Sequence, residues 1–274
     1  MRVLFLGTGA AEGYPALFCE CAHCTTARAR GGRNLRRRSA LMVNDDLLID
    51  IGPDFLAGMH ATGANFGRVA TLLITHAHGD HFYLPNLYMR RSNFCATTPA
   101  QLEVFGTPPT TEATKAEASA RNLSEKEFHL RLNTIQPGDS WQTGRYRVTA
   151  FPAAHAEELI PVFFAIEEGD RTLLYASDTG PFPDETWRQL QAFRFDCAVI
   201  ESTMGIGPPG TQHLSMQQCA EHHQRLEDEG LLRPGARRFA THFSHNRTPP
   251  YLECVEFFAP HGIEPAYDGL VVQM

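Results

Sequence analysis

Short apolar runs alternate with polar loops along most of the chain. Runs of this length, bounded by glycine, proline or acidic residues, are typical of buried strands. They predict strands at residues 2–6, 39–43, 47–51, 69–74, 102–105, 146–151, 161–167, 172–176, 195–201 and 238–241. Helices are expected at 54–61, 84–91 and 185–192, and from an N-cap at Ser215 through Glu229. Strands interspersed with helices predict an α/β fold.

Residues 107–144 differ in character from the rest of the chain. They are rich in alanine, glutamate and lysine and poor in apolar residues. We therefore predict surface helices that are inserted as a cap over the functional site. Such an insertion is where we expect substrate choice to be determined.

Four candidate metal ligands follow the apolar run at 69–74: His76, His78, Asp80 and His81. In an extended segment, residues two apart point the same way, so His76, His78 and Asp80 are expected to converge while His81 points elsewhere. Imidazole with carboxylate favours zinc, manganese or iron over calcium and magnesium. The pattern predicts a metal centre and suits two ions better than one. The alternative is a polar loop that happens to be rich in histidine.

Three of the seven cysteines lie together, at Cys19, Cys21 and Cys24. An odd total with one tight cluster is more typical of metal binding than of a disulfide framework. Three cysteines at this spacing can bind one tetrahedral zinc ion, whose fourth ligand would then come from elsewhere in the chain. The alternative is a reactive thiol cluster, as in a redox sensor.

Length and composition limit the possible domain organisation, binding partners and cellular location. The 274 residues are 43 % hydrophobic, which supports an extensive core, and we expect one compact unit over 1–274. A net charge of −7 gives no global attraction to nucleic acid or to an anionic membrane. The chain lacks an apolar run of membrane-spanning length and opens with a segment too short for a signal peptide, so a cytoplasmic location is predicted.

Two further stretches are less informative. Six arginines between residues 28 and 38 form either a solvated face or a phosphate-recognition patch at the mouth of the site. The glycine-rich turn at 7–15 lacks the following helix that a dinucleotide-binding fingerprint requires, so we exclude that function.

The run His76-Ala77-His78-Gly79-Asp80-His81 after a buried strand resembles the signature of the metallo-β-lactamase fold superfamily. Gly7-Thr8-Gly9 after the first strand resembles the branch that holds ribonuclease Z and small cyclic-phosphate phosphodiesterases. A Cys-x-Cys-x-x-Cys turn with a histidine at position 245 is similar to the phosphodiesterases that accompany carbon-phosphorus lyase. The resemblance implies a four-layer αββα sandwich.

The resemblance also implies roles for individual residues. One ion would be held by His76, His78 and His155, the other by Asp80, His81 and His242, with Asp178 as the bridge. Asp50 would support the metal loop, and His213 would protonate the leaving group, so that His213 and Asp80 are the expected catalytic residues. A structural zinc would be held by Cys19, Cys21, Cys24 and His245.

The function implied is hydrolysis of a small, cyclic phosphodiester by a hydroxide shared between two zinc or manganese ions. Nucleic acid is not an expected partner, because this acidic chain shows no long basic arm. A membrane partner is not expected either, and a homodimer is left open.

Four alternatives are considered. An RNA-processing nuclease or a thioester or lactam hydrolase would share these ligands. A diiron redox protein is not expected, because it would have glutamate in place of His78. A non-catalytic accessory protein of a biosynthetic pathway would be expected to have lost at least one of the seven ligands, all of which are present.

Overall fold

Two seven-stranded sheets form the centre of the molecule. The computed structural model describes residues 1–274 with the exception of the side chain of Glu125. The first sheet consists of β1 (Arg2–Gly7), β2 (Ala40–Val43), β3 (Leu47–Ile49), β4 (Thr71–Leu73), β5 (Leu102–Gly106), β6 (Leu130–Thr134) and β14 (Val271–Gln273). The second consists of β7 (Ser140–Thr143), β8 (Tyr146–Pro152), β9 (Val162–Glu168), β10 (Arg171–Ala176), β11 (Phe195–Glu201), β12 (Leu232–Thr241) and β13 (Glu264–Pro265).

The described part of the chain contains seven α-helices. They are α1 (Ala22–Arg30), α2 (Phe55–Thr62), α3 (Pro85–Tyr88), α4 (Pro108–Ala120), α5 (Asp184–Leu190), α6 (Met216–Asp228) and α7 (Tyr251–Phe258). Six of them, α2 to α7, cover the outer faces of the sheets. Apolar residues of α2, α3 and α4 share a buried cluster with the first sheet, and those of α5, α6 and α7 share one with the second. A third cluster combines residues from both sheets, so the main core lies between them. The predicted αββα sandwich is confirmed.

Sheet topology brings many strand ends to one edge. The order is β14-β1-β2-β3-β4-β5-β6 in one sheet and β13-β12-β11-β10-β9-β8-β7 in the other. Strands β3, β4 and β5 pair in parallel, as do β10, β11 and β12. Because the carboxyl ends of parallel strands lie on the same side, the loops after β3, β4, β10, β11 and β12 meet there.

The predicted helical cap at 107–144 is wrong. This segment contains α4, a short 3₁₀ helix, and the strands β6 and β7. Each strand is the edge of its sheet, β6 beside β5 and β7 beside β8. Edge strands with a solvated face carry few apolar residues, so their composition resembles that of a surface segment.

Most other predicted elements are present with small shifts at their ends. The helix predicted at 84–91 is the short α3, and the helices α1 and α7 and the strands β13 and β14 were not predicted. In the part of the chain that the structure describes, none of the helices combines the length and apolar content that crossing a membrane requires.

Candidate metal centre

The loop after β4 does not continue as an extended segment. The backbone N–H groups of His81 and Phe82 both donate to the carbonyl of His78, at 3.0 and 2.8 Å, and close a turn. The expected grouping of His76, His78 and Asp80 is therefore wrong, because the turn breaks the alternation on which it rested. Instead, His76 and His78 point to one side of Asp178, and Asp80 and His81 point to the other.

The first cluster brings together three imidazoles and one carboxylate. His78 Nδ1 lies 2.9 Å from His76 Nε2 and 3.2 Å from His155 Nε2. Asp178 Oδ2 lies 3.4 Å from His76 Nε2 and 3.5 Å from His155 Nε2. Residues from the loops after β4, β8 and β10 thus converge on one point.

The second cluster shares the same aspartate oxygen. His81 Nε2 lies 3.2 Å from His242 Nε2 and 3.2 Å from Asp80 Oδ2. Asp178 Oδ2 lies 3.3 Å from His81 Nε2 and 3.7 Å from His242 Nε2. Asp178 is the one side chain common to both clusters, as a bridge between two ions requires.

Four imidazoles present Nε2 to the clusters, and in each of them the other ring nitrogen, Nδ1, forms a hydrogen bond with a neighbouring group. Nδ1 of His81 donates to Asp50 at 2.7 Å, and Nδ1 of His155 donates to the carbonyl of Gln212 at 3.2 Å. The hydroxyl of Thr203 donates to the carbonyl of His242 at 2.9 Å and so accepts from its Nδ1 at 2.8 Å.

Thr75 holds the Nδ1 of His76 with a hydrogen bond of the same kind. Its hydroxyl donates to Asp50 at 3.0 Å and accepts from His76 Nδ1 at 3.1 Å. With Nδ1 protonated, the Nε2 lone pairs of His81 and His242 face each other, and those of His76 and His155 face Nδ1 of His78.

Such opposed lone pairs repel unless a cation lies between them, so the donor set fits metal ions. A tetrahedral ion with metal–nitrogen bonds of 2.0–2.1 Å places its nitrogen ligands about 3.3 Å apart. The contacts of 2.9 to 3.2 Å between ring nitrogens are close to this spacing. Mixed imidazole and carboxylate ligands suit zinc and manganese.

Burial prepares several of these groups for ligation. Desolvation lowers the pKa of His155 to about 4 and that of His242 to about 3, so both are neutral at pH 7. Desolvation alone would raise the pKa of Asp178, but the neighbouring imidazoles of His242, His213, His76 and His81 hold it well below its usual range. Neutral imidazole and ionised carboxylate are the forms that bind a metal.

Three residues at this edge adopt left-handed backbone conformations that glycine normally occupies. They are Asp50 with φ of 64°, Asp178 with φ of 58° and His242 with φ of 55°. Each follows directly, or after one residue, the end of β3, β10 or β12. Backbone strain of this kind persists where the surrounding structure enforces it, and it is common at functional sites.

The predicted His213 lies beside Asp178 and pairs with Glu201, a residue that the sequence analysis did not single out. His213 Nδ1 is 2.9 Å from Asp178 Oδ1 and 3.2 Å from Oε1 of the buried Glu201. Burial opposes protonation of His213, but the two carboxylates outweigh it and raise its pKa to about 10. Glu201 is the last residue of β11, and Asp178 likewise follows the end of β10. An acidic residue at the end of a buried strand was therefore the sequence signal that could have identified Glu201.

The predicted cysteine cluster also assembles. Ligand atoms of Cys19, Cys21, Cys24 and His245 lie within 4.8 Å of one another. His245 Nδ1 is 3.6 Å from Cys19 Sγ and 3.5 Å from Cys21 Sγ. A tetrahedral zinc with sulfur at 2.3 Å and nitrogen at 2.0–2.1 Å places these atoms about 3.6 Å apart. The donor set and the spacing fit zinc.

The arginine-rich segment has internal partners at every position. Arg28 pairs with Glu20, Arg30 with Glu253, Arg37 with Asp268 and Arg38 with Asp54, while Arg33 lies over the rings of Tyr251 and Tyr267. Arg36 is buried, donates to Thr8 and Ala266, and lies over Phe243. These contacts attach the segment to the N- and C-terminal parts of the chain.

Comparison with known families agrees with this geometry. A family model described as the β-lactamase superfamily domain matches residues 46–243. The chain belongs to this superfamily. The match covers the loop that follows β4 and extends through His155, Asp178 and His242, so it includes all seven residues of the two clusters.

Curated relatives within the superfamily include ribonucleases. Ribonuclease BN of Cronobacter sakazakii is 32 % identical over 173 residues, which is 62 % of this chain and 51 % of that protein. Ribonuclease Z of Haloferax volcanii is 31 % identical over 176 residues, which is 62 % of this chain and 48 % of that protein. The chain thus spans about half the length of these relatives.

Solved structures share the fold over the whole chain. A diphosphatase of the PhnP family has a TM-score of 0.76 at 21 % identity, covering 99 % of this chain and 97 % of that one. Zinc-bound PqqB from Methylobacterium extorquens has a TM-score of 0.74 at 19 % identity, covering all of both chains. The predicted metallo-β-lactamase fold is confirmed, and this fold with its histidine and aspartate clusters implies divalent metal ions.

Proposed function

We propose that the chain is a hydrolase of phosphodiesters that uses two divalent ions, zinc or manganese. The observation that carries the proposal is Asp178, whose Oδ2 lies within 3.3 to 3.7 Å of four imidazole nitrogens from two clusters. When bound, a pair of such ions lowers the pKa of water to about 7 and stabilises the oxygens of an in-line displacement.

The charge of the centre favours an anionic substrate. Two divalent ions exceed the combined charge of Asp80 and Asp178, and the remaining five ligands are imidazoles, which bind a metal in the neutral form. The centre would therefore be net positive within a largely buried site, where charge interactions are stronger than in water. A phosphodiester anion fits this charge better than a neutral lactam or thioester.

His213 is suited to protonating the leaving oxygen. Asp178 and Glu201 engage its Nδ1, so Nε2 is the nitrogen that remains for the substrate. The two carboxylates keep the ring protonated at neutral pH. A general acid in contact with the leaving group contributes about 10² to 10⁴ in rate.

We propose a small cyclic phosphodiester as the substrate class. A cavity of about 550 Å³ adjoins His213 and Thr203, which is a size typical of small-molecule sites. Cleavage of a ribonucleic acid is a second candidate, because the curated relatives are ribonucleases. A homodimer stays a prediction.

A second metal function is proposed for the cluster of Cys19, Cys21, Cys24 and His245. A zinc ion there would tie the start of α1 and the segment before it to the loop after β12, at a point only three residues from His242. Its role would be structural, since all four ligand positions are filled by protein.

A panel of substrates tests the proposed activity. We expect the metal-loaded protein to hydrolyse bis-p-nitrophenyl phosphate and a 2′,3′-cyclic nucleotide, and to leave a thioester and a β-lactam unchanged. The variant Asp178→Asn serves as the matched inactive control. Faster cleavage of a tRNA precursor than of any small diester would favour the ribonuclease. Metal binding without turnover of any substrate would favour a non-catalytic accessory protein.

A further inference from the structure

An arginine lines the cavity beside His213. His213 and Thr203 form part of the cavity wall, and the hydroxyl of Thr203 contacts His242 Nδ1 at 2.8 Å. Asn246 and Arg247, in the loop that follows β12, line the same cavity. The proposed proton donor and a guanidinium group therefore share one cavity beside the metal centre.

Arg247 differs from the arginines of residues 28–38. Those six side chains all have partners within the protein. Within the described part of the chain, the exposed guanidinium of Arg247 makes no ion pair and no hydrogen bond. It lies so close to Gly207 that a Cβ atom there would come within 2.7 Å of its Nη1. Its five donors are thus available to a ligand.

The one carboxylate in this cavity is already engaged. Glu12 accepts a hydrogen bond from the hydroxyl of Ser244 and lies 3.7 Å from His245 Nε2. Both contacts come from the loop that carries the cysteine cluster's histidine. The charge of Arg247 is therefore not cancelled by an ion pair across the cavity.

We propose that this cavity holds the leaving group of the substrate, and that Arg247 selects leaving groups that carry an anion, either a phosphate or a carboxylate. The inference rests on the proposed function. It follows from the position of His213, because the atom that His213 protonates belongs to the leaving group, and His213 lines this cavity. A planar guanidinium forms paired hydrogen bonds with either anion.

Matched aryl methyl phosphodiesters test the inference. Each releases a nitrophenol that carries a ring carboxylate, a ring phosphate or, as the neutral reference, a carboxamide at the same position. We expect the protein to favour the anionic compounds by about tenfold or more in kcat/KM, as one paired charge-assisted contact would give. Arg247→Ala should abolish this preference and Arg247→Lys should keep part of it. Arg68→Ala, which removes the same charge before β4, should leave it unchanged.

A binding measurement separates this inference from the proposed activity. In a calorimetric titration of the metal-loaded protein, the carboxylate-bearing nitrophenol should bind about tenfold more weakly to Arg247→Ala than to the wild type or Arg68→Ala. Hydrolysis of all the diesters with the same preference in both Arg247 variants would overturn the inference alone. Failure to hydrolyse any diester would overturn the proposed function, and equal binding to wild type and Arg247→Ala would then overturn the inference as well. A preference confined to the phosphate or to the carboxylate compound would support it and identify the anion.

Discussion

The seven histidine and aspartate residues of the two clusters that share Asp178, here called the dinuclear cluster, differ from the four ligands of the cysteine cluster. The two sets differ in burial and in the hydrogen bonds that hold the ligands in place. In the dinuclear cluster, His76, His81 and His242 are buried, and their second nitrogens contact Thr75, Asp50 and Thr203. In the cysteine cluster, Cys21 is exposed and Cys19 is partly exposed. Catalysis needs ligands fixed in one geometry, whereas a structural ion needs only to close a loop.

The backbone shows the same contrast. Asp50, Asp178 and His242 hold left-handed conformations, each of which costs about 1–3 kcal/mol in a residue other than glycine. The four ligands of the cysteine cluster have no such strain. Left-handed backbone therefore occurs at two ligands of the dinuclear cluster, whereas beside the cysteine cluster it occurs at Phe18, with φ of 60°, which is not a ligand.

The largest effect is expected from Asp178→Asn, since it removes the bridge from both clusters. We expect loss of at least one equivalent of metal and a fall in kcat of about a thousandfold or more, because metal stabilisation of the transition state is worth several kcal/mol. Metal analysis and diester hydrolysis provide the two measurements. Unchanged metal stoichiometry would contradict the bridging role.

His213→Ala should reduce turnover without removing metal. We expect kcat to fall by about 10² to 10⁴ while both ions are retained. Because the carboxylates raise the pKa of His213, the wild type should lose activity only as alkaline pH removes its proton, and the variant should lack this decline. Loss of an ion from the variant would instead make His213 a ligand.

Thr203→Val tests the support behind His242. This change keeps the shape of the side chain and removes the hydroxyl that accepts from His242 Nδ1. We expect affinity for the ions to fall by about 10- to 100-fold, as is usual when a ligand loses its supporting contact. Thr172→Val, in β10, is the matched control. If Thr203→Val and Thr172→Val bound the ions with equal affinity, the contact between Thr203 and His242 would have no effect on metal binding.

Cys21→Ser should affect stability more than chemistry. We expect loss of one zinc and a drop in Tm of about 5–10 °C, corresponding to roughly 2–4 kcal/mol, with kcat of the folded protein changed by less than about threefold. Cys95→Ser, outside the cluster, is the control. An unchanged Tm despite loss of zinc would contradict the structural role.

The sequence identified residues that the structure brings together, because most of them follow a buried strand. His76, His155, Asp178 and His242 come after apolar runs, and parallel strands bring such positions to one edge. Their grouping around two ions came from resemblance to a family. The alternation argument alone placed Asp80 with the wrong partners, since a turn at His78 is invisible in side-chain periodicity.

Other features depend on tertiary contacts that composition does not record. Strands β6 and β7 are half-exposed edges, so their residues resemble those of a surface segment. The partners of the arginines at 28–38 are mostly distant in sequence, such as Glu253 and Asp268. Arg247 was overlooked for the same reason, because only the folded structure shows that its guanidinium has no partner among the described residues and lines the cavity beside His213.

The most direct test of the account is the position of metal ions in a crystal of the metal-loaded protein. An anomalous difference map should show two peaks on opposite sides of Asp178 Oδ2, one near His76, His78 and His155 and the other near Asp80, His81 and His242. A third peak is expected among Cys19, Cys21, Cys24 and His245. A fully loaded crystal with one peak or none beside Asp178 would contradict the dinuclear centre on which the proposed hydrolase depends.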